Sequence, residues 1–387
     1  MSFKINLMED SIGKEEKGEI LDCLEKGRYT QGEKVFKFER EFANWNGSKY
    51  AVMVNSGSSA NLLMINYLKE FGGLSLGDEI LVPSVTWPTT IYPIIQNGLN
   101  PVLCDVDESF NMSIDSIKKM TNENTKGIFL VHLLGQPAKV EEIKKFCLEN
   151  KLSLIEDCCE SLGAQKGGKK VGNFGNMGSF SFYFGHHMTT IEGGMIVTDN
   201  PETYDLLKSM RSHGWIRGTE REGKYPEFYD KSFVFDILGY NLRSTDLNAG
   251  IGLEQLKKVD EFIKIRKQNH KYFLDKLDKL DLETQKINID ETSSFSLPIL
   301  LNDSLQKEYV LRELKKYGIE SRMLVAGNMA RQPVFKDRNI KKDNLKYSDK
   351  IHNCGIYLPN NQFINPEKID YMISSLESIL KDNSNLS

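Results

Sequence analysis

The chain has 387 residues, of which 40% are hydrophobic and 27% charged, and a formal net charge of -4. That length exceeds the needs of one small core, so two packed lobes are expected, with the composition of an ordinary soluble globular protein. The slight negative charge excludes a general attraction to nucleic acid or anionic membranes, so any phosphate recognition has to be local.

The N-terminus, MSFKINLMEDSIGKEEKGE, is charged from Lys4 onward and lacks the apolar stretch of a signal peptide, and no apolar run is long enough to span a bilayer. No membrane association is expected. The six cysteines, Cys23, Cys104, Cys147, Cys158, Cys159 and Cys354, form no CxxC pair and no zinc-ligand spacing. They are read as buried thiols of a reduced, cytoplasmic protein, with neither disulfides nor a metal site.

The first helix is predicted after Asp10 and Ser11, which offer N-caps to a run with Ile20, Leu21 and Leu24 on one side; Gly27 ends it. After RYTQG, residues 33–45 read as a second amphipathic helix carrying Val35, Phe36, Phe38 and Phe42. From about residue 50, short apolar strands alternate with helices. The strands are YAVMV (50–54), EILV (79–82), VLCDV (102–106), IFLVH (128–132), LSLIED (152–157), GSFSFYF (178–184) and GMIVTD (194–199), with helices over 59–71, 113–120 and 139–150. Continuously apolar strands joined by crossovers predict an α/β architecture: a mainly parallel seven-stranded sheet covered on both faces. Such sheets bind ligands beyond the carboxyl ends of their strands.

Residues 213–240 show little periodicity and many Gly, Lys, Glu and aromatic residues, the mark of a long functional loop. Helix resumes over 245–280. The remainder mixes strand (SSFSLPIL), helix (QKEYVLRELKKYG) and a C-terminal helix from about 366. The lobe boundary is placed near 250, giving a large domain over 1–250 and a smaller α+β domain over 251–387.

Four segments carry residues suited to chemistry. NSGSSAN (55–61) follows a strand and opens a helix, so small residues and free N–H groups around Gly57 and Ser58 suit a phosphate. A serine-capped turn is the plain alternative. Asp157 ends a buried strand, where a carboxylate can hold a pyridine nitrogen protonated; Glu160 lies three residues on, and capping competes as the explanation of both. Trp87 in PSVTWPTT can stack on a planar ring or simply fill core. Finally, SFYFGHHMTTIEGG places His186 and His187 after an apolar strand, and imidazole both takes and gives a proton near neutral pH.

In this order and spacing, these segments resemble the sugar aminotransferase family of fold type I pyridoxal phosphate enzymes. The resemblance runs through RYTQGEKVFKFEREFA (28–43), SGSSAN, IEDCCESLGA, KVGNFGNMGSFSF, IEGGMIVTDN and GYNLRSTDLNAGIGLEQL (239–256). It implies an aspartate-aminotransferase-like fold. It also implies that the backbone around Gly57 and Ser58, with Ser181, binds the cofactor phosphate. Trp87 would stack on the ring, Asp157 would pair with its nitrogen, and Glu160 would lie beside it. Asn241 resembles the asparagine that reaches the phosphate of a neighbouring subunit, which implies a homodimer with shared active sites.

One position departs from the family. Its aminotransferases place lysine five residues after the serine matched by Ser181 and six before the glutamate of the EGG segment. Both counts land on His186 here, with His187 its neighbour. Lys169 and Lys170 match an upstream turn and do not replace the amine. Histidine forms no Schiff base, so pyridoxal 5'-phosphate or pyridoxamine 5'-phosphate would be held non-covalently. Within the family, that exchange implies a 3-dehydratase acting on a GDP-linked 4-keto-6-deoxy sugar, with L-glutamate restoring the amine form and His186 moving the proton. His213 and Arg217 are candidates for contacts with substrate or the glutamate carboxylate, with a surface salt-bridge role as the plain alternative, and Arg322, Asn328 and Arg331 are candidate walls of the substrate site. A CDP-linked 3-dehydratase with an iron–sulfur cluster and a non-catalytic nucleotide-sugar-binding regulator stay open as alternatives. So does a heptose in place of a mannose-type hexose.

Overall fold

A computed structural model of the chain describes residues 4–226, 229–230, 232–302 and 306–384. All seven predicted strands form, some with displaced ends: Tyr50–Val54 (β1), Glu79–Pro83 (β2), Asn100–Cys104 (β3), Thr125–Val131 (β4) and Ser153–Asp157 (β5). A short hairpin, Gln165–Lys166 (β6) with Lys169–Lys170 (β7), then leads into Met177–Ser181 (β8) and Gly194–Thr198 (β9). The C-terminal part adds Leu297–Leu300 (β10), Arg322–Met323 (β11), Lys341–Lys342 (β12) and Gly355–Leu358 (β13).

The large sheet runs β1-β9-β8-β5-β4-β2-β3-β12. From β8 to β12 every pairing is parallel, and β9 is antiparallel to both its neighbours. The sheet therefore has one strand more than the sequence suggested. β12 is two residues long, too short to show a period-two pattern, and comes from the far end of the chain.

Alternation along the strands sorts their side chains to opposite faces. Ile80 and Val82 join Leu63, Met64, Ile91 and Leu207 in one core, whereas Leu81 joins Ile117, Ile128 and Ile143 in the other. Helices Gly57–Glu70, Pro88–Gln96 and Pro201–Arg211 supply the first face, and Ile114–Met120 with Val140–Asn150 the second. Both faces are covered, as a parallel sheet requires.

The first helix starts later than its capping residues suggested, at Lys14–Lys26. Asp10 instead accepts from the Ile12 amide at 2.9 Å, an Asx turn before the helix. Glu16 reaches back to the Gly13 amide at 2.8 Å, and Gly27 caps the far end with φ 64. The predicted 245–280 helix is two helices, Asp246–Leu256 and Val259–Leu277. Ala249 and Leu253 of the former pack in the large lobe. The latter helix begins in that core with Val259 and Ile263 and ends in the C-terminal core with Phe273 and Leu277, beside the β10-β13-β11 sheet. Among the described residues no helix is long and apolar enough to cross a membrane, and no cysteine is joined in a disulfide.

Candidate active site

The carboxyl ends of β5 and β8 and the start of helix Gly57–Glu70 converge on a cavity of about 930 Å³. Gly57, Ser58, Trp87, Asp157, Glu160, Ser181 and His186 all line it. Phe295, Arg322, Tyr357 and Asn360 of the C-terminal part face them. Seven residues spread over 130 positions of sequence thus meet in one chamber, as strand-end binding predicts.

The Gly57–Ser58 end of the cavity is built on a capped helix. Ser56 accepts from the Ser59 amide at 3.1 Å, and Ser59 spends its hydroxyl on Asn55 at 2.6 Å. Ser58 is left exposed at the helix N-terminus, beside amides that no carbonyl takes within the helix. Gly57 is required by close approach: a Cβ there would lie 2.6 Å from Ser181 Cβ and 2.9 Å from Cys159 Sγ. Free N–H groups, a free hydroxyl and the positive dipole end make this an anion site.

Asp157 is 5% exposed and held by three donors. Asn61 Nδ2 at 2.7 Å and Thr90 Oγ1 at 2.8 Å donate to Oδ2, and the Cys159 amide donates to Oδ1 at 3.1 Å. Asn61 and Thr90 were not singled out in the sequence. Asn61 stands at the end of the NSGSSAN motif, but only the fold brings it to a carboxylate 96 residues away. Behind Asp157, the Glu156 carboxylate takes the amides of Gly172, Phe174 and Gly175 and meets His132 Nε2 at 3.0 Å. His132 Nδ1 accepts from the Ala138 amide at 3.0 Å. His132, Glu156 and Cys158 lie close enough to hold a metal, yet these bonds already occupy both imidazole nitrogens and both carboxylate oxygens. They anchor the end of β5. Glu160 accepts the Leu134 amide at 3.1 Å, and burial, reinforced by Asp157, pushes its carboxyl up to about 7.

The two histidines part ways. The structure turns His187 into the core, 1% exposed, with Nε2 at 3.1 Å from the Ser293 carbonyl. His186 lines the cavity, its ring edge-on to Tyr183 and Phe295 at centroid distances of 5.8 and 5.3 Å. His186 Nδ1 is buried without a partner. Burial, then the Arg266 charge, push the His186 imidazole down to about 4. Lys169 sits over the Phe174 ring and Lys170 over Trp45 at 3.5 Å, both away from the cavity. Lys307 lines the opposite wall, with its amine donated to the His352 carbonyl.

The remaining candidates scatter. Arg322 lines the cavity and pairs with Glu320 at 3.0 Å. Arg331 lies outside it, its fork taken by Asp349 at 2.8 Å and Asn353 at 2.9 Å. Asn328 is likewise structural, donating to Asp349 at 2.7 Å. Asn241 and Arg217 line a separate groove of about 1240 Å³. His213 lines neither; its backbone is left-handed, φ 67, and its amide donates to the Tyr240 carbonyl at 2.7 Å.

The chamber fits a flat, phosphate-bearing pyridine: an anion cradle at Gly57 and Ser58, an exposed indole at Trp87 and an oriented carboxylate at Asp157. The chain belongs to the DegT/DnrJ/EryC1/StrS aminotransferase family, whose profile matches residues 10–377. Within it, the chain is similar to the GDP-4-keto-6-deoxy-D-mannose 3-dehydratase of Escherichia coli O55:H7, 39% identical over 369 residues, 91% of this chain and 94% of that protein. A solved structure of E. coli GDP-4-keto-6-deoxy-D-mannose-3-dehydratase with bound hydrated PLP matches with a TM-score of 0.92 and 36% identity, over 97% of this chain and 100% of that one. Another, of GDP-4-keto-6-deoxymannose-3-dehydratase with a trapped PLP-glutamate geminal diamine, has a TM-score of 0.91 and 36% identity, over 96% and 100%.

Proposed function

We propose that this chain is a pyridoxal/pyridoxamine phosphate-dependent 3-dehydratase that removes the C3 hydroxyl of a GDP-linked 4-keto-6-deoxy sugar of the mannose type. The product is a 4-keto-3,6-dideoxy sugar for cell-surface polysaccharide such as lipopolysaccharide or capsule, and L-glutamate is the amino donor. The observation that carries this reading is His186 in the cavity where the family's aminotransferases place lysine, with the surrounding cofactor residues intact.

When bound, the cofactor supplies an amine for the sugar ketone and a ring that accepts an electron pair. Gly57, Ser58 and Ser181 hold its phosphate, and Trp87 covers the ring. Asp157 keeps the ring nitrogen protonated, its orientation set by Asn61 and Thr90. Glu160 lies beside the ring as a carboxyl that exchanges its proton near neutral pH. His186 Nε2 takes a proton as base and returns it to the departing C3 hydroxyl as acid. With no amine at this position the cofactor is held non-covalently. That Asn241 lies in a different groove from Asp157 supports a homodimer with shared active sites, in which Asn241 completes the cofactor site of a second copy.

The test mixes protein, pyridoxal phosphate, glutamate and GDP-4-keto-6-deoxymannose and assays 2-oxoglutarate and a 3-deoxy product. Absence of product from any GDP- or CDP-linked 4-keto sugar would overturn the proposal.

A further inference from the structure

Two arginines are enclosed in the fold, and they are held in opposite ways. Arg211 is 1% exposed and pairs with Glu39 at 2.5 Å. Arg266, on helix Val259–Leu277, is 3% exposed, and only burial, with no carboxylate, moves its guanidinium, down to about 9. Its fork donates to backbone carbonyls instead: Nη1 to Phe295 at 3.0 Å and to Asn360, and Nη2 to His186 at 3.5 Å. Its Nε has no partner. Buried cations are ordinarily paired because desolvation is costly. One held by neutral acceptors keeps its field for its neighbours.

His186 shows the complementary feature. A histidine that transfers protons is commonly oriented by a carboxylate or carbonyl on one ring nitrogen; here Nδ1 has no partner. The ring is wedged between Tyr183 and Phe295 instead. Its peptide is fixed at both ends, the amide donating to the Tyr183 carbonyl at 3.0 Å and the carbonyl accepting from Arg266. Phe295 and Asn360, whose carbonyls Arg266 also holds, line the same cavity.

We propose that Arg266 is a positioning residue for His186: its fork fixes the cavity wall around the imidazole, and its charge, paired by no carboxylate, bears on the group that takes the proton. The inference rests on the reading of His186 as the proton-transfer group. A resting imidazole held down by burial and by Arg266 is a free base. Once protonated beside the cation it is a stronger acid than free imidazolium, suited to a departing hydroxyl. The other ionisable groups facing the cavity are Asp157, Cys159 and Glu160 after β5 and Tyr183 and Glu192 on the His186 segment. Lys307, Glu308, Arg322, His352 and Tyr357 face it from the C-terminal part, and His187 packs behind. Arg266 thus takes the place of the orienting carboxylate with the opposite sign.

The test reads the imidazole rather than turnover. His186 of the full chain, its signal assigned with H186N, is titrated by nitrogen-resolved NMR in the wild type, R266Q and R266K. The wild-type midpoint is expected below the free value of about 6.5. R266Q keeps donors without charge, and its midpoint rises by about one pH unit. R266K keeps the charge without the fork; it titrates as the wild type, while kcat falls about tenfold at unchanged KM. A wild-type midpoint at or above about 6.5 overturns the proposal whether or not the variants fold. So does a cooperatively melting R266Q that titrates with the wild type. Should R266Q not melt cooperatively, R266K decides: an unchanged midpoint supports the charge argument and a raised one overturns it. Titration as expected without dehydration of any sugar is a failure of the functional reading alone.

Discussion

Asn61 donates to Asp157 Oδ2 at 2.7 Å, while its own side-chain oxygen takes the Ser179 hydroxyl at 2.5 Å. Asn61 is 0% exposed and sits one turn into the helix that begins at Gly57. Ser179 lies on β8 and Asp157 ends β5, so one amide ties the anion cradle to the strand-end carboxylate. The two halves of the proposed cofactor site are held as one body.

Replacing Asn61 by Leu removes that tie. Asp157 Oδ2 keeps only the Thr90 hydroxyl, and the Ser179 hydroxyl is left with only a long bond to the Glu156 carbonyl at 3.4 Å inside the core. An unsatisfied buried polar group costs about 1–3 kcal/mol. A lowered Tm and roughly tenfold weaker pyridoxamine phosphate binding are expected, read by calorimetry and absorbance titration. A variant that matches wild type in both measurements would refute the coupling.

The histidine pair makes opposite predictions for its two members. His186→Asn keeps cofactor binding and loses dehydration. His186→Lys gains a covalent link to pyridoxal phosphate, seen as visible absorption that survives gel filtration. His187→Asn loses the bond to the Ser293 carbonyl, and its effect appears in thermal stability before turnover. Loss of product formation in His187→Asn, with an active His186→Asn, would shift the proton-transfer role by one residue.

Gly57→Ala drives a Cβ into Ser181 Cβ at 2.6 Å and Cys159 Sγ at 2.9 Å. Overpacking of this kind costs about 1–3 kcal/mol and has to displace Ser181 from the phosphate end. Weaker cofactor retention on dialysis is the expected outcome, with helix content by circular dichroism unchanged. Full retention would mean that the cradle is looser than its geometry.

Glu160 predicts a pH dependence. Its folded carboxyl is raised to about 7, above its unfolded value, so the folded state binds the proton more tightly. Its contribution is fully present below about pH 4.3 and is lost as pH rises through about 7. Glu160→Gln should raise the Tm of the cofactor-free protein at pH 8 and leave it near wild type at pH 4.5. A Tm difference equal at both pH values would rule the linkage out.

Much of this was legible along the chain. Apolar runs bounded by turns predicted the seven long strands of the large sheet, because burial on both faces leaves a local signature. β12 was missed, since two lysines at an edge carry no pattern. Gly57, Ser58, Trp87, Asp157, Glu160, Ser181 and His186 were named from motifs and do share one cavity. Arg331 was named as a candidate substrate contact, and its pairing with Asp349 lies outside anything the local sequence expresses.

What the sequence determined by itself was therefore contiguous: strand periodicity, a small-residue turn before a helix, and a histidine at a position counted from two flanking motifs. Adjacent His186 and His187 have the same local chemistry, and only the packing of the segment after β8 against Ser293 and Phe295 decides that one faces the cavity and the other the Ser293 carbonyl. The same holds for Arg266, whose acceptors lie 29, 80 and 94 residues away. Periodicity reports which face of an element is apolar. Which polar group meets which depends on long-range contacts, and those exist only once the chain has folded.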